Sequence, residues 1–236
     1  MVNAVIGPFS YINWILTFVL EIGVAACILY RKDFNRYFSL AVYMLTSAAV
    51  DVLNYMCVRK YGFSSEEYYY LYYYGDSLIT ILMFLVVLQL YQQVFSEMKV
   101  SQYIRSVASL LLIGTAGFSY LIVHQHRSQF TVQFVVELGQ NLYFVGVVLT
   151  YLLWGAMLKM KESRTRLVHL VLALGIYFGA TAGVYALRNL FPALEAPVLR
   201  WFPPLIATWL PLAWGYTFLK LPEETHLVMA RLAKAQ

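Results

Sequence analysis

The sequence has few charged residues for its length. Only 12% of its 236 residues are Asp, Glu, Lys or Arg, whereas 61% are hydrophobic. The charged share is about half of that in an ordinary soluble domain, so a water-facing surface could hardly be covered. Apolar stretches recur along the whole chain with only short polar interruptions. We therefore expect an all-α integral membrane protein without a soluble module.

Cysteines and common catalytic motifs are also scarce. Cys27 and Cys57 fall near opposite membrane faces of the first two predicted helices, too far apart for a disulfide within one chain. The sequence contains no Walker-type phosphate loop and no G-x-S-x-G, H-E-x-x-H or C-x-x-C-H motif. A membrane enzyme is therefore the least favoured function class, and no cofactor is indicated.

Seven apolar stretches are long enough to be transmembrane helices, which need about 20 residues to cross a hydrocarbon core of about 30 Å. They predict a seven-transmembrane-helix domain over residues 1–220, followed by a short amphipathic cytoplasmic tail over residues 221–236. The predicted spans cover residues 5–30, 37–58, 68–95, 104–124, 130–158, 167–190 and 198–219.

The distribution of Lys and Arg predicts the orientation of this bundle. Twelve of these residues fall at one set of helix ends and loops, and five fall at the other set. Because the cytoplasmic side has the excess, we expect the N-terminus outside and the C-terminus in the cytoplasm. The basic residues are scattered through short loops, so we expect the lipid bilayer as a partner and no nucleic acid. The expected location is the bacterial inner membrane.

Ionisable residues inside the predicted spans are the candidate functional residues, because each is costly in lipid unless it has a partner. Residues three or four apart share a helix face, so several of these acids belong to longer polar stripes. The candidate ligand-binding residues are Glu21 on the first helix, Asp51 and Asn54 on the second, Asp76 on the third, Glu137, Gln140 and Asn141 on the fifth, and Arg188 on the sixth.

The predicted depths place most of these charges together. Asp51, Asp76 and Glu137 fall in the outer half of the bundle with Arg188, an excess of negative charge. Protonation of one or more carboxyls, a bound cation, or a cationic or polyhydroxylated ligand could neutralise it. The alternative is that each acid is tied to Arg188, a tyrosine hydroxyl or an amide and only fixes helix register.

Other patterns have simpler interpretations. The tyrosine-rich segment over residues 68–74 is typical of an aromatic belt at the membrane interface. Gly175, Gly179 and Gly183 form a smooth ridge that favours close helix packing. His124 and His126 could bind zinc with an outer carboxylate, but a solvated loop is favoured over a metal site.

The predicted topology resembles that of seven-helix receptors and microbial rhodopsins in helix number and orientation only. The seventh helix has no mid-membrane lysine for a retinal Schiff base, since Lys220 lies at its inner end. The third helix ends in the residues 89–93, QLYQQ, instead of the acidic-Arg-Tyr motif of G-protein-coupled receptors. The sequence therefore supports no assignment to these families.

The function expected from these features is the binding of a small molecule or cation in an acid-rich outward-facing cavity, for sensing or transport. A non-catalytic membrane subunit or scaffold, assembled with another membrane protein, is the main alternative. In that case the polar stripes and the glycine ridge would serve helix assembly.

Overall fold

The fold is a bundle of α-helices. The computed structural model describes residues 8–31, 34–95, 101–124, 130–159, 164–190 and 197–221. These residues form seven helices and no strand, which confirms the all-α, seven-helix prediction. Residues 222–236, with most of the predicted tail, lie outside the described part. The helices are α1 (Pro8–Tyr30), α2 (Phe38–Tyr61), α3 (Glu66–Val94), α4 (Ser101–His124), α5 (Phe130–Lys159), α6 (Thr165–Leu190) and α7 (Pro197–Lys220).

The surface of the bundle has the character of a protein in lipid. Within the described residues, five helices are long and apolar enough to cross a membrane, namely α1, α2, α3, α5 and α6. Helix α4 has a shorter apolar segment, Leu110–Leu121. Large apolar side chains are widely exposed, as at Leu110 and Ile113, both 72% exposed. The chain is thus compatible with a multi-pass membrane protein.

Six of the helices form a closed ring. Each of α1, α2, α3, α5, α6 and α7 packs against the next in that order, and α7 returns to α1. Helix α4 lies outside this ring, where it packs mainly against α5 and also contacts α3. Helix α5 is therefore in contact with α3, α4 and α6, which gives it more than one buried face.

One half of the ring is filled by apolar side chains, here called the apolar core. It is built from residues late in α1, α3, α5 and α7 and early in α2 and α6, such as Ile28, Met44, Leu90, Leu170 and Trp214. In an alternating bundle these segments share one end, which the charge distribution predicts to be cytoplasmic. The opposite half is left for the polar residues.

Two glycines allow neighbouring ring helices to approach closely. A Cβ added at Gly146 of α5 would lie 2.6 Å from Cε1 of Phe178 on α6, and one at Gly75 of α3 would lie 2.8 Å from Cγ1 of Val50 on α2. Both distances are far below van der Waals contact, so a methyl group at either position would force the neighbouring side chain to move.

The predicted glycine ridge on α6 contributes less to packing than these two positions. A Cβ at Gly175 would lie 3.3 Å from Cγ2 of Thr150 on α5, but one at Gly179 would lie 3.8 Å from the Tyr151 hydroxyl. A Cβ at Gly183 would meet no described atom within 4 Å. The ridge is close-packed only at its first glycine.

Candidate functional site

The polar half of the ring encloses a cavity of about 410 Å³, here called the acidic cavity. This volume lies within the range of about 300–1,000 Å³ that is usual for small-molecule sites. All six ring helices contribute to its wall. The lining residues are Asn13, Trp14, Thr17 and Glu21 of α1, Tyr43, Ser47, Val50, Asp51 and Asn54 of α2, Tyr72, Asp76 and Ile79 of α3, Tyr143 of α5, Tyr177 of α6, and Pro203, Pro204 and Ala207 of α7.

Glu21 is the most deeply buried acid of this cavity, with only 4% of its surface exposed. The Ser47 hydroxyl donates a hydrogen bond of 2.6 Å to its Oε1 atom. Its other oxygen, Oε2, is buried and has no hydrogen-bond partner in the described part of the chain. Because buried carboxylate oxygens are normally paired, Oε2 is an acceptor that a bound molecule can satisfy.

Asp51 and Asp76 lie nearer than Glu21 to the helix ends opposite the apolar core. Asp51 follows Ser47 by four residues on α2, which is one turn, or about 6 Å, farther from the apolar core. Asp76 reaches a similar level, since Gly75 contacts Val50 on α2. The three carboxyl groups thus occupy at least two levels on adjacent walls of the same cavity.

Aromatic rings form much of the remaining wall. Tyr43, Tyr143 and Tyr177 are buried beside the apolar core and line the cavity from three helices. The Thr80 hydroxyl donates a hydrogen bond of 3.3 Å to the Tyr143 hydroxyl. Trp14 of α1 stacks on Tyr55 of α2, with the ring centroids 5.1 Å apart. Such rings attract organic cations through their π faces.

Polar groups join α1 to α7 along the cavity wall. Asn13 Nδ2 donates to the Pro204 carbonyl at 3.1 Å, and the hydroxyls of Thr17 and Thr208 are 2.7 Å apart. Pro211, inside α7, has no N–H and therefore leaves the carbonyl of Ala207 without its helical donor. The cavity wall on α7 therefore includes a residue, Ala207, whose carbonyl lacks its usual helical partner.

A second cavity of about 270 Å³ adjoins the first. The two share Asp76 and several aromatic lining residues, so Asp76 lies at the boundary between them. The second cavity is lined on its other side by Tyr185 and Arg188. Arg188 is thus close to the acidic cavity, but it is not among the residues that line it.

The polar residues of α5 are placed differently from those of the other helices. Glu137, Gln140 and Asn141 line neither of the two cavities. Asn141 Nδ2 instead donates a hydrogen bond of 2.9 Å to the Ser119 hydroxyl on α4, outside the ring. Within the described residues no ion pair or hydrogen bond joins Glu137 to Arg188. A binding role for these three α5 residues stays a prediction.

The structure therefore brings together four of the eight predicted site residues. Glu21, Asp51, Asn54 and Asp76 line the acidic cavity, and Arg188 borders it through the second cavity. Of the rings that line the acidic cavity, Tyr72 belongs to the tyrosine-rich segment over residues 68–74. The others carry no sequence signal of a binding role, because isolated Trp and Tyr residues in an apolar helix look like core or interface residues. From α7, Pro203 and Pro204 line the acidic cavity, whereas Pro211 does not.

A metal centre has no support among the described residues. No three His, Cys, Asp or Glu side chains there lie close enough to hold one metal ion. The three carboxyl groups of the cavity are therefore spread along its walls. His126 and the side chain of His124, for which a solvated loop is favoured over a zinc site, lie outside the described residues. Cys27 and Cys57 are both free.

Comparisons with known proteins give no family for this chain. No family model, no characterised protein and no solved structure matches it. The cavity is therefore the feature of this chain that bears on its function.

Proposed function

We propose that this chain is a membrane protein that binds a cation or a small cationic molecule in the acidic cavity, for sensing or transport. The observation that supports it is the shared lining: Glu21, Asp51 and Asp76 come from three helices and line one cavity whose described wall contains no Lys, Arg or His. Such an excess of acidic groups in a low-dielectric site favours a positively charged occupant.

The cavity lies in one half of the ring, and this placement supports the binding of a ligand that enters from one side of the membrane. The apolar core fills the other half of the ring, so the described structure offers no polar route through it. With the predicted orientation, the cavity faces outward, and the protein resides in the bacterial inner membrane. A sensor needs only this one-sided cavity. A transporter must also open the apolar core so that the ligand can leave on the other side.

Thermal stability in lipid nanodiscs provides a test with sodium, calcium, tetraethylammonium and spermidine as probes. We expect at least one cation to raise the melting temperature, and Asp76→Asn to abolish the shift because it removes a charge from the cavity wall. The matched control is Glu67→Gln, since Glu67 is exposed at the start of α3 and outside the cavity. Absence of any shift with all four cations would reject the proposal.

Flux measurements separate the two modes of action. Uptake of the stabilising cation into proteoliposomes, lost in Asp76→Asn, is the result expected of a transporter. Binding without uptake is the result expected of a sensor. The same assay on Glu137→Gln examines the predicted role of α5, since Glu137 lines neither cavity.

A further inference from the structure

We infer that the ligand of the acidic cavity is a linear aliphatic polyamine, bound through N–H donors at both ends. This inference rests on the proposed function and names its substrate class. It depends on the unpaired acceptors in the cavity wall, on their spacing along the bundle, and on the chemistry of the surfaces between them.

The cavity wall contains buried polar atoms that lack a hydrogen-bond partner among the described residues. Glu21 is almost fully buried and lines the cavity, yet its Oε2 atom has no partner among the described residues. The Oδ1 atom of Asn54, which also lines the cavity, is likewise buried without a partner. The carbonyl oxygen of Asn54 and the oxygens of an ionised Glu21 carboxylate are acceptors, so an occupant that satisfies them must supply donors. A protonated amine has such donors, whereas a quaternary ammonium group has none.

The polar groups of the cavity are spread along the length of the bundle. Glu21 is fixed at the level of Ser47, because the two side chains share a hydrogen bond. Asn54 follows Ser47 by seven residues on α2, which is two turns, or about 10 Å. Asp51 and Asp76 lie between these levels. Acidic and acceptor groups thus line the cavity at successive depths, as an extended chain with several nitrogens requires.

A divalent metal ion fits this cavity less well than an extended cation. A divalent metal needs several oxygen ligands at about 2.0–2.6 Å from one point. No three His, Cys, Asp or Glu side chains converge in this way in the described part of the chain. A linear polyamine distributes its charges along its length and can meet separated carboxylates one at a time.

The surfaces between the acids also suit a polyamine. The rings of Trp14, Tyr72 and Tyr143 line the cavity together with Val50 and Ile79. Methylene segments can pack on these apolar and aromatic surfaces, and the ring faces attract the adjacent ammonium groups. Three carboxylates would balance the three positive charges of a triamine such as spermidine.

The test is isothermal titration of the full-length protein in lipid nanodiscs with three probes. They are spermidine, its exhaustively N-methylated derivative, whose quaternary nitrogens have no N–H, and hexylamine, which has one nitrogen. We expect spermidine to bind about tenfold or more tightly than either of the others, as the loss of charge-assisted hydrogen bonds requires. In Glu21→Gln this preference should largely disappear, whereas Glu67→Gln should retain it.

The possible failures are distinguishable. Equal binding of spermidine and its methylated derivative would overturn the requirement for donors, and equal binding of hexylamine would overturn the requirement for length; in both cases cation binding itself stands. If none of these probes and none of the inorganic cations binds, the proposed function fails together with the inference. The comparison of probes on the unaltered protein decides the matter even if Glu21→Gln does not fold.

Discussion

The Ser47 hydroxyl donates a 2.6 Å hydrogen bond to Oε1 of Glu21, and this bond joins α2 to α1 beside the acidic cavity. It is the only partner that the described structure gives to the Glu21 carboxyl group, since Oε2 has none. The bond therefore holds the carboxyl at the level where the cavity meets the apolar core.

Ser47→Ala should lower the free energy of unfolding by about 1–2 kcal/mol, because both oxygens of a buried carboxyl then lack a partner. Denaturation in mild detergent measures this change. Ser77→Ala is the matched control, since Ser77 is also buried but its side chain makes no hydrogen bond within the described part. We expect Ser77→Ala to lower the free energy of unfolding by less than about 0.5 kcal/mol. Equal losses would show that the bond to Glu21 does not stabilise the bundle.

A second prediction concerns the contact between α5 and α6. Gly146→Ala should destabilise the protein by about 1–3 kcal/mol, because the new methyl group would overlap the ring of Phe178, which is only 1% exposed. Gly155→Ala on the same helix should be neutral or stabilising by up to about 1 kcal/mol. Alanine favours the helix, and a Cβ at this position would contact no described atom of a neighbouring group within 4 Å. If both variants melt alike, the helices are farther apart than described.

A third prediction concerns orientation, which the charge distribution alone supports. In a background with Cys27 and Cys57 replaced by serine, Ser128→Cys should react with an impermeant thiol reagent in intact cells. Ser163→Cys should react only after lysis, because it lies in the loop richest in Lys and Arg. The reverse labelling pattern would place the cavity on the cytoplasmic side and remove the argument for an external ligand.

The fold was predictable because a bilayer imposes a length on apolar segments. Each predicted span ends within about three residues of the described helix, as with 37–58 against Phe38–Tyr61. The ring could not be predicted, since helix length does not say which helices are neighbours. In particular, nothing in the α4 segment indicates that it lies outside the ring.

Because the sequence does not show which helices are neighbours, only some of the predicted site residues line the acidic cavity. Glu21, Asp51 and Asp76 were predictable, because an acid inside a span must face protein or water. The position of the polar residues on α5 was not predictable in this way, because a polar stripe can be buried against α4 as well as against the cavity. Asn141, for example, donates a hydrogen bond to Ser119 on α4. Helical periodicity identifies a buried face, but it does not distinguish two buried faces of one helix.

The last prediction uses Arg188 to determine the sign of the ligand charge. Arg188 lines the second cavity, and Asp76 separates it from the acidic cavity. A positive ligand in the acidic cavity is repelled by this guanidinium, and two unit charges at a separation on the order of 10 Å interact by roughly 0.4–1.7 kcal/mol for dielectric constants of about 80 to 20.

Arg188→Gln should therefore tighten spermidine binding by about two- to fifteenfold at low salt, with a smaller effect at high salt. Arg59→Gln is the matched control, because Arg59 is exposed at the end of α2 and lines neither cavity. It removes the same charge from the same predicted side of the membrane and should change the affinity much less. Titration calorimetry of both variants measures the difference. Weaker binding in Arg188→Gln would indicate that the guanidinium contacts a negative group of the ligand, and a zwitterion would then fit the two adjoining cavities better than a polyamine.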